Sequence, residues 1–277
     1  KEILPQFRSG EEKNSSIISF HPSYGYENFV EGLRPVIGDG GQVVFKVISG
    51  VFLEIIEKCR SIERYCLFID EINRGNVPEI FGEFLVSIEN SKREQTEVKL
   101  SLSGREISVP ENLHIIGAMN TSDRSLLKLD SAFRRGFVFH RMDPNYTSLE
   151  KYYSKNTSHK GTVDDVSISS FLQGLNRSVQ LLIGRDHQIG HSDFFSINSL
   201  DDLNYIFFSK TLPQLDEYCH GDSLLLAEIL KENNDQGFYL FQEVSEIGSS
   251  SSMGDKAVIQ VEFSTLPADF FRKISQL

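Results

Sequence analysis

The stretch LFIDEINR, residues 67–74, decides the fold of this chain. It completes an apolar run that starts after Arg64 and ends in two acids, Asp70 and Glu71. A continuous apolar run is typical of a strand buried on both faces of a parallel sheet, and such sheets bind ligands beyond the carboxyl ends of their strands. Burying a carboxylate costs several kcal/mol unless an opposite charge compensates it. The two acids therefore indicate either a magnesium–nucleotide site or a pair that caps the following turn.

A second polar segment follows the next apolar run. Residues 113–118 (LHIIGA) predict another buried strand, which leads into MNTSDRS at 119–125. Asn120 is therefore expected at the same sheet edge as the acids, where a neutral amide can orient a lytic water without competing with Mg²⁺ for charge. Asp123 and Arg124, taken alone, are better explained as a helix-starting acid and a surface base. Together the two segments predict a site for nucleotide hydrolysis.

Further patterns extend this prediction along the chain. A helix is predicted over 77–88, another from a four-residue apolar repeat over 47–59, and a hairpin over 98–109. A short helix and a final strand at 137–139 complete an alternation typical of a parallel α/β sheet. After residue 145 the periodicity is helical, and strand-like segments near the end flank the loop GSSSSMGD. We therefore predict three parts: an α/β subdomain (1–145), a helical lid (146–232) and a C-terminal β-hairpin or tail (233–277).

Composition excludes several classes of protein. The 277 residues carry a net charge of −11 with a pI of 5.2, which argues against a chain that coats nucleic acid or an anionic membrane. No apolar run approaches the roughly 20 residues that span a bilayer. The chain has three cysteines, Cys59, Cys66 and Cys219, and they form no CxxC pair, which argues against a zinc knuckle and a disulfide framework. This use of cysteine is typical of a protein in the reducing cytoplasm. The first residue is Lys1 and the opening lacks a signal-peptide pattern, so we expect the chain to begin inside a longer polypeptide.

On these motifs the chain resembles the McrB-like group of AAA+ nucleotidases, the motor subunits of modification-dependent restriction. The resemblance is carried by FHPSYGYENFVEGLRP (20–35), LFIDEINRGNVPEIFGEF (67–84), VPENLHIIGAMNTSDRSLLKLDSAFRRGF (109–137) and IGHSDFF (189–195). It implies an AAA+ P-loop-type parallel sheet with helices on both faces, followed by a small helical lid. It also implies hydrolysis of GTP or ATP with Mg²⁺ and assembly into a homo-oligomeric ring, expected to be a hexamer.

The same resemblance implies partners and a setting. A nuclease subunit of the McrC type would be driven by the motor in an anti-phage restriction system of bacterial or archaeal cytoplasm. DNA would bind through a domain outside this chain or through the ring channel, and no membrane is involved.

The resemblance also implies roles for individual residues. Asp70 and Glu71 become the Walker B pair, with Asp70 holding Mg²⁺ through water and Glu71 polarising the attacking water. Asn120 becomes the sensor of the γ-phosphate or its water. Asp123 and Arg124 belong to the nucleotide-binding signature beside it.

Two arginines stand where the family places its arginine finger, which reaches the nucleotide of the neighbouring subunit. These are Arg134 and Arg135, but Gly136 occupies the place where relatives commonly have an arginine before the phenylalanine. Either Arg135 reaches the nucleotide instead or the finger is weakened. The alternative is a solvated basic pair at the end of a helix, stabilised by the helix dipole.

Other candidates lie in the lid and after the Walker B strand. Gly190, His191 and Ser192 would begin a helix whose first turn faces the nucleotide, although a lone histidine is as often a satisfied polar residue. The residue after the serine is Asp193 rather than the usual tyrosine of the family. Arg74 either serves a subunit interface or binds the acids next to it.

A phosphate-binding loop is absent from these residues. No G-x-x-x-x-G-K-[ST] occurs between Lys1 and Leu277, and the order of motifs in the family places that loop upstream. Two alternatives stay open: a MoxR-like ATPase that remodels proteins, and a P-loop-less AAA+ scaffold or regulatory subunit that lends Arg134 or Arg135 to an active neighbour.

Overall fold

The structure, a computed structural model, describes residues 8–9, 12–38, 40–121, 131–230, 241–243, 258–260 and 266–276. The chain divides into two compact units, Lys1–His140 and Arg141–Leu277, each with its own apolar core. The sequence prediction placed this division at residue 145. In the described ranges, no helix has the length and apolar character needed to cross a membrane.

The first unit is an α/β structure with a parallel sheet at its centre. The elements, in chain order, are β1 (Arg8–Ser9), β2 (Glu12–Lys13), β3 (Ser15–Ser19), α1 (Tyr26–Phe29), β4 (Glu31–Ile37), β5 (Val43–Ser49), α2 (Val51–Cys59), β6 (Tyr65–Asp70), a 3-10 helix (Ile72–Arg74), α3 (Val77–Phe81), α4 (Phe84–Ser87), β7 (Val98–Lys99), β8 (Glu106–Ile107), β9 (Leu113–Gly117) and α5 (Ser131–Arg135).

The central sheet has the order β3-β6-β9, with both pairs parallel. Strand β6 lies in the middle, and Tyr65, Leu67 and Ile69 on it are buried, as a doubly covered parallel strand requires. The predicted α/β fold is confirmed. The register aligns Ile69 with Gly117 of β9, so the chain leaves both strands at the same edge.

Aromatic side chains pack the helices of this unit against one another. Phe29 and Phe52 stack with ring centroids 4.8 Å apart, and Phe84 meets Phe52 edge-on at 5.1 Å. Phe81 joins the same cluster, and all four side chains are fully buried. Each such residue removes a large apolar area from water, and ring pairs add about 0.5–1.5 kcal/mol beyond burial.

The single helix predicted over 77–88 is wrong, because it is interrupted between α3 and α4. Gly82 has φ +50°, and a Cβ there would lie 2.7 Å from Cε2 of Tyr26. The helical period of the apolar residues continues through this break, so sequence periodicity does not reveal it.

The helix predicted from the four-residue repeat over 47–59 is correct only in its second part. Helix α2 begins only at Val51, and Val47 lies in β5, which pairs antiparallel with β4 along seven residues. A turn with two backbone hydrogen bonds, Gly38 N to Gln42 O and Gly41 N to Gly38 O, both at 2.9 Å, joins the strands. We call this two-stranded element the β4–β5 ribbon.

The final strand predicted at 137–139 is not a strand. Residues 137–140 follow α5 in irregular conformation, and Val138 is 82% exposed. A strand needs a neighbour for its backbone groups, and among the described strands β9 pairs only with β6.

A buried carboxylate anchors the base of the β4–β5 ribbon. Glu31 is fully buried, and its Oε1 accepts hydrogen bonds from the backbone N–H groups of Leu102 and Ser103 at 2.9 and 3.0 Å. These residues lie in the loop of the β7–β8 hairpin. One side chain therefore ties the two hairpins together.

The Glu31→Ala variant is expected to lose about 2–3 kcal/mol of unfolding free energy, because two backbone N–H groups lose their acceptor and the fully buried side chain leaves a cavity. Urea denaturation followed by circular dichroism measures this loss. The exposed Glu97→Ala is the control and should change the unfolding free energy by less than about 0.5 kcal/mol. Equal midpoints for the two variants would show that the Glu31 contacts contribute nothing to stability.

The second unit is mainly helical. Its elements are α6 (Tyr146–Asn156), β10 (Thr162–Val163), β11 (Val166–Ser167), α7 (Ile168–Leu182), 3-10 helices at Arg185–His187 and Ser192–Ser196, α8 (Leu200–Ile206), a π-helical turn (Phe207–Thr211), α9 (Leu212–Tyr218), α10 (Ser223–Ile229), β12 (Phe241–Glu243), β13 (Val258–Gln260) and α11 (Ala268–Ser275).

The predicted C-terminal tail is partly integrated into this unit. Strands β12 and β13 pair antiparallel, but α11 packs on α7 so closely that a Cβ on Gly174 would lie 2.0 Å from the Ile274 carbonyl oxygen. Phe270 and Phe271 are buried in the helical core. The Asn204 side chain binds both backbone groups of Leu266. Its Nδ2 donates to the Leu266 carbonyl oxygen at 3.1 Å, and its Oδ1 accepts from the Leu266 N–H at 2.7 Å. The segment 266–276 thus belongs to the helical unit rather than to a separate tail.

The three cysteines are free and buried. Burial raises the pKa of each thiol, Cys59, Cys66 and Cys219, to about 11. Because the thiolate is the reactive form, these thiols are unreactive at neutral pH.

Candidate functional site

The carboxyl edge of the central sheet carries the predicted acids. Asp70 ends β6 with an exposed side chain, and the Glu71 backbone N–H donates to Asp70 Oδ1 at 3.1 Å. The Asp70 carbonyl oxygen accepts from Phe20 N at 3.0 Å, which keeps the strand paired to its last residue. The Asp70 carboxylate therefore emerges from a fixed backbone at the end of the most buried strand.

Glu71 has a left-handed backbone, with φ 51° and ψ 42°. Residues other than glycine rarely adopt this conformation, and such strain concentrates at functional sites. It redirects the chain from β6 into the 3-10 helix at Ile72–Arg74. The Nε atom of Arg74 lies 3.2 Å from Glu71 Oε2, close enough for an ion pair but without the alignment of a hydrogen bond.

Asn120 lies at the same edge, as predicted, and a second asparagine connects it to the acids. The buried Asn73 donates from Nδ2 to the Asn120 carbonyl oxygen at 3.1 Å. The Ile72 N–H donates to Ala118 O at 2.9 Å. The segments after β6 and β9 are therefore locked together. Asn73 was missed by the sequence analysis, although it stands in the string DEINR, three residues after the first acid.

Close packing reinforces this junction. A Cβ on Gly117 would lie 2.8 Å from Cδ1 of Ile72, so only glycine lets β9 approach the segment after Glu71. The two segments that carry the candidate residues are thus fixed by backbone hydrogen bonds and by apolar contact, which is the preorganisation that a catalytic site needs.

The chemistry of this edge fits a magnesium–nucleotide site. Within the described ranges, no group of three or more His, Cys, Asp or Glu side chains is placed to hold a metal ion by itself. Asp70 and Glu71 supply the hard carboxylate oxygens that Mg²⁺ prefers, and Oε2 of Glu71 is buried without a hydrogen-bond partner in the structure as described. Mg²⁺ usually takes one or two carboxylates and completes its shell with water and phosphate oxygens, which this donor set permits.

The Arg74→Ala variant distinguishes the two predicted roles of Arg74, an ion pair with the neighbouring acid and a contact between subunits. The ion pair with Arg74 competes with water for the Glu71 carboxylate, and a pair whose side chains are 45% and 32% exposed is worth about 0.2–1 kcal/mol. We therefore expect the basal nucleotide turnover of the full-length polypeptide to rise about two- to fivefold. Steady-state phosphate release measures this rate, with Arg74→Lys as the control that keeps the charge.

The opposite outcome would assign Arg74 to a subunit contact. A turnover loss of more than about tenfold, together with a smaller assembly in sedimentation velocity, contradicts the ion-pair account.

Asp123 and Arg124 lie outside the described residues. The structure does describe Arg134 and Arg135, which are exposed at the end of α5, whereas Phe133 before them is buried in the core. The Cζ atom of Arg134 lies 5.6 Å from the centroid of the Phe139 ring, a cation–π contact. No hydrogen bond or ion pair joins Arg135 to the residues that the structure describes.

In the second unit, Gly190, His191 and Ser192 form a loop that leads into a short 3-10 helix, Ser192–Ser196. The helix expected to begin here is present as a 3-10 helix of five residues. His191 Nδ1 accepts a hydrogen bond from the Asn145 backbone N–H at 3.2 Å. The His191 side chain is half-buried, and Gly190 and Ser192 are exposed.

A buried amide holds this loop in place. Asn176 of α7, which is fully buried, donates to the Ile189 carbonyl oxygen at 2.9 Å and accepts from its N–H at 2.6 Å. It also donates to Tyr146 Oη at 3.1 Å. The residue just before Gly190 is therefore fixed through both backbone groups. Asn176 was not predicted from the sequence, because the role of a polar residue on the apolar side of a helix depends on its hydrogen-bond partners in the folded chain.

Comparisons with known families agree with this arrangement. Residues 8–137 match the family model of an AAA domain of the dynein-related subfamily, and residues 167–227 match that of the McrB alpha-helical lid domain.

Curated relatives come from restriction systems. The type IV methyl-directed restriction enzyme EcoKMcrB subunit of Escherichia coli (strain K12) is 32% identical over 226 residues, which are 75% of this chain and 47% of that protein. The type II restriction enzyme BsuMI component YdiS of Bacillus subtilis (strain 168) is 23% identical over 242 residues, 72% of this chain and 68% of that protein. The chain thus spans about half the length of the first relative.

Among solved structures, a protein from Cytophaga hutchinsonii is 12% identical and covers 63% of this chain and 55% of its own. Its TM-score of 0.31 is too low to support any argument.

Proposed function

The chain belongs to the McrB-like AAA+ proteins, and from this premise we propose that it is the motor core of a nucleoside triphosphatase in a modification-dependent restriction system. The substrate is GTP or ATP with Mg²⁺, and the active form is a homo-oligomeric ring, a hexamer. The ring drives a nuclease subunit of the McrC type in the cytoplasm, and DNA binds through another domain or through the ring channel.

One observation carries the proposal: Asp70, Glu71 and Asn120 lie at one carboxyl edge of the parallel sheet, joined by the Asn73 bridge. Phosphoryl transfer needs little covalent chemistry from the protein and depends on positioning and charge stabilisation. An edge whose two segments are locked together by hydrogen bonds supplies that positioning.

Each group at this edge has a defined task in hydrolysis. The Glu71 carboxylate accepts a proton from the attacking water, and the Asn120 amide orients that water. Asp70 would hold Mg²⁺ through water, and the ion would supply positive charge that offsets the charge of the phosphates. The αL backbone of Glu71 fixes where its side chain leaves the main chain, which limits the positions open to the base.

Other residues act from neighbouring positions in this proposal. Arg135 stabilises charge on the nucleotide of the adjacent subunit, and Arg134 is held by Phe139. Asp123, Arg124, Gly190, His191 and Ser192 contact the nucleotide.

The proposal is tested with the full-length polypeptide and its candidate nuclease partner. Hydrolysis of GTP and of ATP is measured with Mg²⁺, with EDTA, and with the partner present. Magnesium-dependent turnover that the partner stimulates is expected. Nucleotide binding without turnover under all conditions would favour the scaffold alternative, and turnover stimulated by a protein substrate instead of the nuclease would favour the MoxR-like alternative.

A further inference from the structure

Two segments of the second unit are bonded to each other around the candidate nucleotide loop. The chain enters this unit at Arg141, and α6 begins at Tyr146. We call residues 141–146 the entry segment. Residues 185–192, which run from the 3-10 helix after α7 to Ser192, are called the lid loop. Because both segments belong to one compact unit, the contacts between them are internal to that unit.

Four charged side chains join the entry segment to the lid loop. Arg141 donates from Nε to Asp143 Oδ1 at 2.7 Å and from one terminal nitrogen to Asp186 Oδ1 at 2.8 Å. Its other terminal nitrogen donates to the Arg185 carbonyl oxygen at 2.6 Å. Arg185 in turn donates to Asp143 Oδ2 at 2.6 Å. Positive and negative charges therefore alternate along the network, and we call these four side chains the ion-pair clamp.

The ion-pair clamp differs from an isolated ion pair on a protein surface. An isolated exposed pair contributes little to stability, because ordering two long side chains costs entropy. In the clamp, Arg141 binds three acceptors and Asp143 accepts from two arginines, so each additional contact uses a side chain that is already ordered. The hydrogen bonds from Arg141 and Arg185 lower the pKa of the Asp143 carboxyl, which keeps this group charged at neutral pH.

A glycine turn links α7 to the lid loop. Gly184 has a φ of +126°, a conformation that residues with a side chain rarely adopt. Glycine has more backbone freedom than any other residue, so helix α7 alone constrains the direction of the lid loop weakly. The ion-pair clamp binds Arg185 and Asp186, the two residues directly after this turn, and supplies the missing constraint.

The entry segment also binds the far end of the lid loop. The Asn145 backbone N–H donates to His191 Nδ1 at 3.2 Å. Tyr146 Oη accepts from Asn176, the buried amide that binds both backbone groups of Ile189. The lid loop is therefore held at its first residues, in its middle and at the imidazole ring. One short segment of six residues makes or supports all of these contacts.

We propose that the ion-pair clamp positions the lid loop for nucleotide binding, and that its four side chains act without touching the nucleotide themselves. The inference rests on the proposed function, in which residues 190–192 contact the nucleotide. Ordering a loop when a ligand binds weakens the binding, and a loop that is already ordered avoids this cost. The clamp therefore lowers the KM for nucleotide and leaves the chemical step at the sheet edge unchanged.

A direct role of the two arginines in phosphate binding is the competing explanation, since guanidinium groups suit phosphate geometry. Removal of Asp143 gives opposite results in the two cases. If Asp143 holds the clamp together, its loss frees the lid loop and raises KM. If Arg141 and Arg185 bind phosphate, the loss of a competing negative charge lowers KM.

The first test is steady-state turnover of the full-length polypeptide with GTP and with ATP in the presence of Mg²⁺. The KM of Asp143→Ala is expected to rise about fivefold, the scale of a networked ion pair. Its kcat should stay within about twofold of wild type, because only binding is affected. Asp269→Ala is the matched control and should leave KM unchanged, since Asp269 is also an exposed aspartate paired with an arginine, Arg272 of α11.

Hydrogen–deuterium exchange of the nucleotide-free protein provides a second readout that does not depend on turnover. Backbone amides in peptides covering 185–192 are expected to exchange at least about threefold faster in Asp143→Ala than in wild type or Asp269→Ala. The difference should shrink at about 1 M salt, because screening weakens the ion pairs of the wild type. Thermal unfolding midpoints within about 2 °C of wild type verify that the variants fold.

The outcomes separate this inference from the function on which it rests. Unchanged exchange in Asp143→Ala overturns the clamp. Faster exchange with an unchanged KM overturns its role in nucleotide binding, and a lower KM assigns the arginines to phosphate instead. Wild-type protein that neither binds nor hydrolyses nucleotide contradicts the proposed function and with it the nucleotide role. The exchange comparison still decides in that case whether the ion pairs hold the lid loop.

Discussion

Glu71→Gln is expected to reduce nucleotide turnover of the full-length polypeptide by at least about 10²-fold while nucleotide binding and assembly persist. Glutamine keeps the size and a carbonyl oxygen but cannot accept the proton of the attacking water. The left-handed backbone at Glu71 fixes where this side chain leaves the main chain, so another carboxylate could take its place only with a change of the main chain. Single-turnover phosphate release measures the chemical step separately from binding.

The Glu111→Gln variant is the matched control for Glu71→Gln. Glu111→Gln removes an exposed acid at the amino end of β9, opposite the candidate site, and should leave turnover within about twofold of wild type. Unchanged turnover in Glu71→Gln would remove Glu71 from the mechanism.

Arg135→Ala is expected to lower turnover by about 10³-fold, the effect of losing an arginine that stabilises charge on the transferred phosphoryl group. Because this arginine acts on the nucleotide of a neighbouring subunit, assemblies that contain two different variants test its role. Assemblies of Arg135→Ala with Glu71→Gln subunits should regain part of the turnover, since each variant supplies the group that the other lacks. Phosphate release over a series of mixing ratios measures the rescue.

Arg134→Ala is the matched comparison at the adjacent position. Its guanidinium lies over the Phe139 ring of its own chain, so we expect a loss of less than about tenfold. A larger loss for Arg134→Ala than for Arg135→Ala would make Arg134 the finger. Failure of every mixture to regain turnover would exclude a finger that acts between subunits.

The sequence predicted the placement of the candidate residues at one sheet edge because local pattern and topology agree there. A strand buried on both faces must be apolar throughout, and the acids at its end stand out against that requirement at Asp70 and Glu71. The carboxyl ends of parallel strands share one edge, so Asn120 followed from the next apolar run. No tertiary contact was needed for these predictions.

The β4–β5 ribbon was missed because two periods coincide. Val47, Val51, Ile55 and Cys59 recur every four residues, which suits a helix, yet the side-chain period of two in a strand also divides four. The glycine-rich turn at 38–41 between two apolar runs is a hairpin signal that outweighs the repeat. Gly82 misled the prediction differently, since the close approach of Tyr26 depends on the folded chain.

Buried polar residues formed the other group of omissions. Glu31, Asn73 and Asn176 each bind the backbone of a distant segment, and sequence periodicity carries no information about which segment that is. These residues nevertheless determine the geometry, because they fix the ribbon, the two sheet-edge segments and the lid loop. Predicting a site from sequence therefore finds the reacting groups more readily than the residues that position them.

The central claim is that the edge formed by β6 and β9 holds the phosphates of a nucleotide whose hydrolysis Glu71 promotes. A cryo-EM structure of the assembled full-length polypeptide, with Mg²⁺ and non-hydrolysable analogues of GTP or ATP, tests it most directly. The account predicts a γ-phosphate beside Asp70, Glu71 and Asn120, with Arg135 of the adjacent subunit directed at the same phosphate. Nucleotide bound elsewhere, with this edge facing only solvent, would contradict it.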